Sequence, residues 1–576
     1  MRQRLRTSIA VIGGILGVAL LGFGLYVADT LQWRLQLLAG LWLLSLPLRA
    51  FSSQRAAGIS RAFGRLTLVF SLAFAAVALQ LVREQLTQAA AVREQAAALL
   101  KPAPQQTAAD TSVRPADRTS LGSERVWPVT LPKVQRGAIL DRNGVVLAQT
   151  QNGRRTYPNP DLGQIVGFQS RLLGTTGIEN SYDSYLSGAR SISSTALLEA
   201  QLLGTSVMPQ PADVRLTLDS SLQKVAQDAL GDRAGAVVLL DTQTGAILAL
   251  AGYPRFDPNQ LVLPDQASEA DVAQVQAAWQ ALSSREDSPL LNRATQGRYA
   301  PGSIIKTLTA AAALDSGVLA GTEGQITCPN QLPTEAGAPP VRNAVENLAQ
   351  RTGNPSDLRR VYAWSCNTAF AQIGMALGPQ RFADYANRFG LRFADAVSNT
   401  TALQEIDASG GTIASSAAFL ERPAALADTA YGQGQALVTP LDMAQMVAAI
   451  ANDGKLMQPY LVQDVRAGQQ TLYTAQPHEL RQVISPQAAQ QMRSIMQTSV
   501  EIGYARPVAL PGVTIGAKTG TAETASGVPH SWFVALAPVE QPRFAIAVIV
   551  EHGGEGSRGA LPVARTILAA ALGVKL

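Results

Sequence analysis

Two groups of apolar, strand-like runs, far apart in the chain, most constrain the fold of this protein. Residues 235–251, GAVVLLDTQTGAILALA, contain two such runs on either side of a polar turn. Three more follow near the C-terminus, in VTIGAKTGTAE (513–523), SWFVALAP (531–538) and RFAIAVIVEHG (543–553). Helical patterns fill the middle of the chain, and ALPVARTILAAAL (560–572) closes it. This order predicts an α+β domain with one antiparallel, five-stranded sheet and helices on both faces.

The N-terminal region explains why 47% of the residues are apolar and only 15% are charged. Three apolar runs, at residues 8–28, 33–48 and 66–82, resemble membrane-spanning helices, and no signal-peptide cleavage signature follows the first. Arginines without acidic neighbours precede the first run and separate the second from the third. By the positive-inside rule both arginine clusters are cytoplasmic, so three spans are expected.

The number of spans decides on which side of the membrane the large domain lies. With three spans, or with a single span, everything after about residue 84 is extracytoplasmic. The alternative treats 33–48 as a buried or interfacial helix, and an even number of spans would place the large domain in the cytoplasm.

Composition divides the remainder of the chain into three parts. Residues 84–130 begin with good helix formers and continue as a segment rich in Pro, Ala, Ser and Thr, which predicts a helical stalk and a flexible linker. In RGAILDRNGVVLA (136–148) the turn residues DRNG separate two apolar runs, so a β-hairpin is expected within a domain at 131–215. The α+β domain then occupies 216–576, and the membrane region occupies 1–83.

Charge and metal-ligand spacing exclude two classes of function. The formal net charge of +5 is small for 576 residues and no lysine-rich tract is present, so nucleic acid is not an expected ligand. The three histidines, His478, His530 and His552, lack the spacing of zinc ligands, so a zinc site is not expected. Cys328 and Cys366 can form a disulfide in an oxidising compartment, but two unpaired buried thiols are the favoured interpretation. Sequence alone does not decide between them.

Ser-x-x-Lys occurs twice, and the first pair has the pattern of a solvated helix face. In LDSSLQKVAQDAL (218–230), Asp219 can cap a helix whose apolar stripe lies opposite Ser221 and Lys224. The same polar face contains Gln227 and Asp228. A solvated lysine keeps a pKa of about 10.4 and stays protonated, so it cannot accept a serine proton.

The second pair, Ser303 and Lys306, lies in GRYAPGSIIKTLTAAAALDSG (297–317). Pro301 and Gly302 favour a helix start there, which puts Ser303 in the first turn and Lys306 one turn later on the same face. Most neighbouring positions are apolar, so the helix is expected to be buried, and burial lowers the pKa of a lysine. Backbone N–H groups at the helix start can also stabilise an oxyanion. Ser303 and Lys306 therefore have the character of a nucleophile and its base.

Two companion motifs follow this pair in the chain. WSCNTAF contains Ser365-Cys366-Asn367, which is the only Ser-x-Asn, and GAKTGTAE contains Lys518-Thr519-Gly520, which is the only Lys-Thr-Gly. The order and separation of the three motifs resemble those of the penicillin-recognising serine acyl-transferases.

From about residue 131 to the C-terminus the chain resembles the class B penicillin-binding proteins, the monofunctional peptidoglycan transpeptidases. RGAILDRNGVVLA is similar to the start of their non-catalytic pedestal domain, so 131–215 is expected to be a β-rich pedestal. GQGQALVTPLDMA (432–444) and HSWFVALAP (530–538) also match stretches familiar from this family. Family members usually have one N-terminal span, so three spans and a long linker depart from the pattern.

The resemblance implies catalytic roles for Ser303, Lys306, Ser365, Asn367 and Lys518, and it implies no metal or organic cofactor. Ser303 would attack the carbonyl of a D-Ala-D-Ala stem peptide, Lys306 would accept its proton, and Ser365 would relay that proton to the leaving amine. Asn367 would hydrogen-bond the substrate amide and hold Lys306. Lys518 would help to keep Lys306 neutral and attract the terminal carboxylate of the substrate.

The third motif is implied to bind substrate. Thr519 and Thr521 hydroxyls would contact the terminal carboxylate, with Gly520 between them, and the backbone N–H groups of Ser303 and Thr521 would form the oxyanion hole. β-Lactams would acylate Ser303 because they mimic D-Ala-D-Ala.

The resemblance also implies the partners and the alternatives. The expected protein is a membrane-anchored D,D-transpeptidase that acts on peptidoglycan stem peptides, paired with a polytopic glycan polymerase of the SEDS family. A D,D-carboxypeptidase or a β-lactam hydrolase would use the same fold with water as acceptor. A non-catalytic β-lactam sensor or scaffold is the third hypothesis, although the HExxH motif of receptors that carry a metalloprotease is absent from the sequence.

Overall fold

The computed structural model describes residues 134–576, apart from 193–206, 322–323, 397–401 and 526, and a few isolated positions before residue 40. The predicted membrane runs, the stalk and the linker lie outside the described residues, apart from those few positions. Within the described part of the chain, no helix combines the length and the apolar character needed to cross a membrane.

Most strands of the described residues are short, and a few are long. In chain order the strands of the described residues are β1 (Ile139–Leu140), β2 (Val146–Gln151), β3 (Arg154–Thr156), β4 (Gln169–Ser170), β5 (Gly174–Thr175), β6 (Asp213–Leu216), β7 (Gly235–Asp241), β8 (Ile247–Tyr253), β9 (Gln331–Leu332), β10 (Val341–Arg342), β11 (Arg392–Phe393), β12 (Thr412–Ala414), β13 (Lys455–Met457), β14 (Val462–Ala467), β15 (Gln470–Thr474), β16 (Glu479–Gln482), β17 (Gly516–Ala522), β18 (His530–Ala537) and β19 (Phe544–Val550).

Helices are the main secondary structure between the two groups of long strands. The α-helices of the described residues are α1 (Gly163–Val166), α2 (Gly177–Ser181), α3 (Asp183–Leu186), α4 (Ser220–Leu230), α5 (Glu269–Ser283), α6 (Lys306–Asp315), α7 (Ala349–Thr352), α8 (Leu358–Ala363), α9 (Asn367–Leu377), α10 (Pro379–Arg388), α11 (Ala417–Leu420), α12 (Pro423–Tyr431), α13 (Pro440–Ala451), α14 (Pro486–Glu501) and α15 (Ala560–Leu572). Short 3₁₀ turns lie at Pro160–Leu162, Ala189–Ser191, Pro258–Leu261, Gly302–Ile305, Ala394–Ala396 and Arg506–Val508.

The predicted five-stranded sheet is present, in the order β17-β18-β19-β7-β8, and every neighbouring pair is antiparallel. Its central strands β7 and β19 are nearly continuous apolar runs, as expected where helices cover both faces, and only the terminal Asp241 of β7 is partly exposed. Val237 and Leu239 of β7 join one apolar cluster with α15, whereas Val238 and Leu240 join another with α13. The predicted α+β architecture with helices on both faces is therefore confirmed.

A second, six-stranded sheet has the order β15-β14-β6-β1-β2-β3. β1 and β2 form the predicted hairpin, and the Asp141 carboxylate accepts hydrogen bonds from the backbone N–H groups of Asn143 and Val145 in its turn. β1 is parallel to β6, and β6 pairs in turn with β14, from residues 462–467. The sheet thus joins the predicted pedestal segment to strands from the C-terminal half of the chain.

Candidate active site

The Ser303 segment begins with a 3₁₀ turn at Gly302–Ile305 and continues as α6 from Lys306. The predicted helix start is therefore present, although its first turn is 3₁₀ and not α-helical. Gly302 has a φ of +53°, and a Cβ atom there would lie 2.5 Å from the carbonyl oxygen of Thr521. Only glycine allows both the left-handed backbone and this approach, which brings the serine turn directly against β17.

Lys306 is completely buried, and its amine nitrogen contacts both of the first two motifs. Nζ lies 3.0 Å from Ser303 Oγ and 3.0 Å from Ser365 Oγ. It also lies 2.8 Å from the Ser365 carbonyl oxygen and 2.6 Å from Asn367 Oδ1. The structure thus brings together four of the predicted catalytic side chains.

The surroundings of Lys306 favour the uncharged amine. Complete burial lowers its pKa well below the ordinary value of a lysine, and the nearby charge of Lys518 lowers it further. A neutral amine has two N–H groups and one lone pair. The Ser365 carbonyl and Asn367 Oδ1 can only accept, so they take the two N–H groups and leave the lone pair for a serine hydroxyl.

Lys518 is the second buried lysine, and Ser365 lies between the two. Lys518 Nζ is 3.1 Å from Ser365 Oγ and donates to the Thr519 carbonyl at 2.8 Å. Burial lowers the pKa of Lys518 to about 7. The hydroxyls and amines therefore form a continuous chain in which a proton can move from Ser303 through Lys306 to Ser365.

The Ser-x-Asn motif is a tight turn that leads into α9. Ser365 has a φ of +57°, Cys366 is the N-cap residue, and the helix begins at Asn367. Asn367 Nδ2 donates to the Arg342 carbonyl oxygen at 2.9 Å, which fixes the orientation of the amide with Oδ1 toward Lys306. One of its two amide N–H groups is thus used within the protein.

Cys366 forms a disulfide with Cys328, and the two Cα atoms are 6.2 Å apart. The interpretation of these cysteines as two unpaired buried thiols was wrong. Both are fully buried, as expected, but tertiary contacts bring them together from positions 38 residues apart.

The Lys-Thr-Gly motif lies on β17, which is an edge strand of the five-stranded sheet. Gly520 packs against Ile304, and a Cβ atom on Gly520 would lie 2.8 Å from the Ile304 side chain. Thr519 is buried beside Lys518, whereas Thr521 is exposed and its Oγ1 accepts a hydrogen bond from the Gly556 N–H. All three predicted substrate-binding residues therefore lie on the strand that borders Ser303.

The first Ser-x-x-Lys pair lies apart from these motifs, on α4. Asp219 caps the helix as predicted, and Lys224 Nζ pairs with Asp228 at 2.9 Å on the exposed face. Gln227 was wrongly assigned to that face: it is buried, and its Nε2 donates to the Asp161 carbonyl oxygen. Ser221 and Lys224 are thus solvated and not in contact with the other motifs.

Two contributors to the site were not among the predicted residues. The Arg342 carbonyl holds Asn367, and no local sequence signal marks a backbone oxygen for this task. Gly432 contacts the Ser303 turn so closely that a Cβ atom would lie 1.8 Å from the Gly302 carbonyl oxygen. Gly432 is the first residue of GQGQALVTPLDMA. The match of this stretch to the family was therefore the sequence signal that could have pointed to Gly432.

Two family profiles match the chain. The profile described as the penicillin binding protein transpeptidase domain matches residues 235–571, which contain all three motifs. The profile described as the penicillin binding protein A dimerisation domain matches residues 136–209, which contain the β1–β2 hairpin.

Characterised relatives match most of the chain. The peptidoglycan D,D-transpeptidase PbpA of Mycolicibacterium smegmatis is 35% identical over 465 residues, which is 76% of this chain and 89% of the relative. The peptidoglycan D,D-transpeptidase MrdA of Acinetobacter baumannii is 27% identical over 71% of this chain and 65% of its own length.

Solved structures of penicillin-binding protein A from Mycobacterium tuberculosis are also similar. Its ceftriaxone acyl-enzyme complex matches with a TM-score of 0.66 at 32% identity, over 76% of this chain and 98% of that chain. Its penicillin G acyl-enzyme complex matches with a TM-score of 0.65 at 32% identity, over 76% of this chain and 100% of that chain.

Proposed function

Because the chain belongs to the class B penicillin-binding proteins, we propose that it is a peptidoglycan D,D-transpeptidase with Ser303 as nucleophile and Lys306 as general base. The contact that carries this proposal is the 3.0 Å distance between the buried Lys306 Nζ and Ser303 Oγ. With its two N–H groups taken by acceptors, the amine presents its lone pair to a hydroxyl. A lysine held in this state can take the serine proton at neutral pH.

In the acylation step Ser303 Oγ attacks the carbonyl carbon of the D-Ala-D-Ala peptide bond and gives its proton to Lys306. The tetrahedral intermediate collapses, the C–N bond breaks, and an ester to Ser303 forms. The proton reaches the leaving D-Ala amine through Ser365, whose hydroxyl lies between Lys306 and Lys518. The backbone N–H groups of Ser303 and Thr521 stabilise the oxyanion.

In the second step the amine of a neighbouring stem peptide attacks the ester. A new amide bond forms, the C–O bond to Ser303 breaks, and the serine recovers a proton through Lys306. The same nucleophile opens the ring of a β-lactam, for which the acyl-enzyme complexes of the Mycobacterium tuberculosis relative provide support.

The substrate carboxylate is bound by the Lys-Thr-Gly strand. Lys518 supplies positive potential, and the hydroxyls of Thr519 and Thr521 donate to the carboxylate, with Gly520 keeping the strand close to the serine turn. Asn367 uses its remaining N–H group for the substrate amide.

The sequence and the disulfide support a proposal for the location of the enzyme. We assign 1–83 to the membrane, 84–130 to a stalk and linker, 131–215 to a pedestal and 216–576 to an extracytoplasmic transpeptidase domain. A buried disulfide beside the site suits an oxidising, extracytoplasmic compartment.

We further assign a SEDS-family glycan polymerase as the membrane partner, on the basis of the family. Replacement of residues 1–83 with an unrelated anchor is expected to reduce cross-linking in cells while β-lactam acylation persists. Full cross-linking after this exchange would rule out a partner that binds through the spans.

Labelling with a fluorescent penicillin tests the assignment of the nucleophile. Ser303→Ala is expected to abolish the covalent adduct, whereas Ser221→Ala, in the solvated pair, is expected to label like the wild type. Labelled Ser303→Ala protein would overturn the assignment. Incubation of the wild type with a D-Ala-D-Ala pentapeptide and an acceptor amine then separates cross-linking from simple hydrolysis by mass spectrometry.

A further inference from the structure

We propose that the Cys328–Cys366 disulfide is a positioning element of acyl transfer, which holds the Ser-x-Asn turn so that its oxygens orient the Lys306 amine. The inference rests on the function proposed above. Cys366 lies between Ser365 and Asn367, which together supply three of the four polar contacts of Lys306 Nζ. No other residue of the motif is covalently tied to a distant segment within the described chain.

The turn that carries these oxygens has a backbone conformation that is unfavourable without support from its surroundings. Ser365 has a φ of +57°, a left-handed conformation that residues with a Cβ atom adopt only where their surroundings impose it. The next residue, Cys366, caps α9 through its sulfur, which accepts a hydrogen bond from the Ala369 N–H at 3.4 Å. The disulfide therefore acts immediately after the strained residue and at the start of the helix.

The segment on the other side of the disulfide contacts the same turn through side chains. Asn343 donates to the Pro329 carbonyl at 2.9 Å and accepts from the Thr368 N–H at 3.2 Å. Thr368 Oγ1 also donates to Pro329 O at 2.8 Å. Regular pairing contributes little, because β9 and β10 have two residues each. The covalent link and this small polar cluster thus fix the segment from 328 to 343 against the motif.

Loss of the disulfide has a specific predicted consequence. Ser303 and Lys306 lie on α6 and its preceding turn, and Lys518 lies on β17, so their positions do not depend on the link. Ser365 and Asn367 do depend on it, and their displacement removes the acceptors that orient the Lys306 lone pair. Water that enters the loosened turn would also stabilise the ammonium form of Lys306 and raise its pKa.

The test compares the Cys328→Ala/Cys366→Ala double variant with the wild type in β-lactam acylation. The double variant is expected to acylate roughly 10- to 100-fold more slowly, since small misplacement of a catalytic group costs about this much. The initial non-covalent affinity is expected to fall much less than the acylation rate, because Asn367 is only one of the substrate contacts. The acidic limb of the pH profile is expected to shift to higher pH, which a merely structural role would not produce.

Thr327→Val is the matched control, because Thr327 is exposed, adjoins Cys328, and contacts only Gln372 among the described side-chain hydrogen bonds. It is expected to behave like the wild type. If the double variant does not unfold cooperatively, Asn343→Ala keeps the disulfide, removes the bonds to Pro329 and Thr368, and is expected to give the same pattern with a smaller change.

The outcomes separate the two proposals. A wild type that is not acylated on Ser303 would overturn the proposed function. The positioning role alone would be overturned if the wild type is acylated on Ser303 and the double variant keeps the wild-type rate and pH profile. Where the double variant fails to fold, the same result in Asn343→Ala would overturn it.

Discussion

The amide oxygen of Asn367 lies 2.6 Å from Lys306 Nζ, the shortest of the four polar contacts of this amine. Asn367→Asp places a carboxylate at this position with almost no change of shape. An opposite charge at this distance raises the pKa of Lys306, and each unit of increase lowers the neutral fraction about tenfold at pH values below the pKa. We expect slower acylation at neutral pH, recovered in part at higher pH, as measured with a chromogenic cephalosporin.

Asn330→Asp is the control for this change. Asn330 lies on the neighbouring segment, is exposed, and its Oδ1 accepts from the Asn347 N–H, so that contact survives the substitution. Its acylation profile is expected to match that of the wild type. An Asn367→Asp variant with the wild-type pH profile would contradict the proposed role of Lys306 as an uncharged base.

Lys306→Arg tests the base directly. A guanidinium does not lose its proton in proteins, so it cannot accept the serine proton, even though it retains hydrogen-bond donors and bulk. We expect acylation to fall by roughly 10²- to 10⁴-fold, the usual contribution of a general base. Stopped-flow acylation of samples with matched thermal unfolding curves provides the measurement, and a variant with near wild-type rates would exclude Lys306 as the base.

Lys518→Met is expected to increase the stability of the folded protein and to reduce its activity. Burial lowers the native pKa of Lys518 from 10.5 to about 7, so between these pH values the unfolded chain holds a proton that the native lysine has lost. Because stability rises with pH wherever the unfolded state binds more protons, the cost of burying Lys518 is largest below about pH 7. Replacement of buried charged groups by apolar ones gains roughly 1–4 kcal/mol in comparable cases.

The measurement is the thermal unfolding midpoint of both proteins at pH 6 and at pH 9. The gain of Lys518→Met over the wild type should be larger at pH 6, and acylation by β-lactams that carry a carboxylate should be weaker at both values. An equal gain at the two pH values would show that the native pKa of Lys518 is not lowered.

Local sequence patterns were sufficient for the five-stranded sheet and for the burial of Lys306, because these depend on continuous apolar runs. They were not sufficient for the pairing of β6 with β14, which joins segments that are distant in the chain. The burial of Gln227 likewise depends on a carbonyl from another segment, that of Asp161. Such contacts leave no periodic signal in either partner.

The same distinction applies to the site. The three motifs marked Ser303, Lys306 and Lys518 as candidates because each motif is a short string with a required order, and the structure brings these residues together. The left-handed backbone of Ser365 and the disulfide at Cys366 could not be predicted, since both depend on tertiary contacts that impose them on ordinary residues. Serine has no intrinsic preference for a positive φ.

Gly432→Ala is expected to disturb the nucleophile from outside the motifs. The new Cβ atom would lie 1.8 Å from the Gly302 carbonyl oxygen, so the backbone before Ser303 must move. A displacement of about 1 Å can cost roughly 10²-fold in rate. Gly512→Ala is the control, because Gly512 also has a positive φ but has open space around its Cβ position. Equal acylation rates in the two variants, corrected for the folded fraction, would contradict the steric argument.

Glu551→Ala is expected to destabilise the segment that leads to Ser303. Glu551 accepts hydrogen bonds from Arg293 Nε at 2.8 Å and from the Tyr299 hydroxyl at 2.7 Å, and the Arg293 and Glu551 side chains are only 8% and 18% exposed. Loss of this largely buried acceptor leaves the Arg293 Nε–H and the Tyr299 hydroxyl without that partner, which costs roughly 1–3 kcal/mol. Asp228→Ala removes an ion pair whose side chains are 72% and 64% exposed, so little change is expected. Urea unfolding measures the free energy of unfolding of both variants. An equal loss of stability in Asp228→Ala and in Glu551→Ala would show that burial does not determine the strength of these pairs.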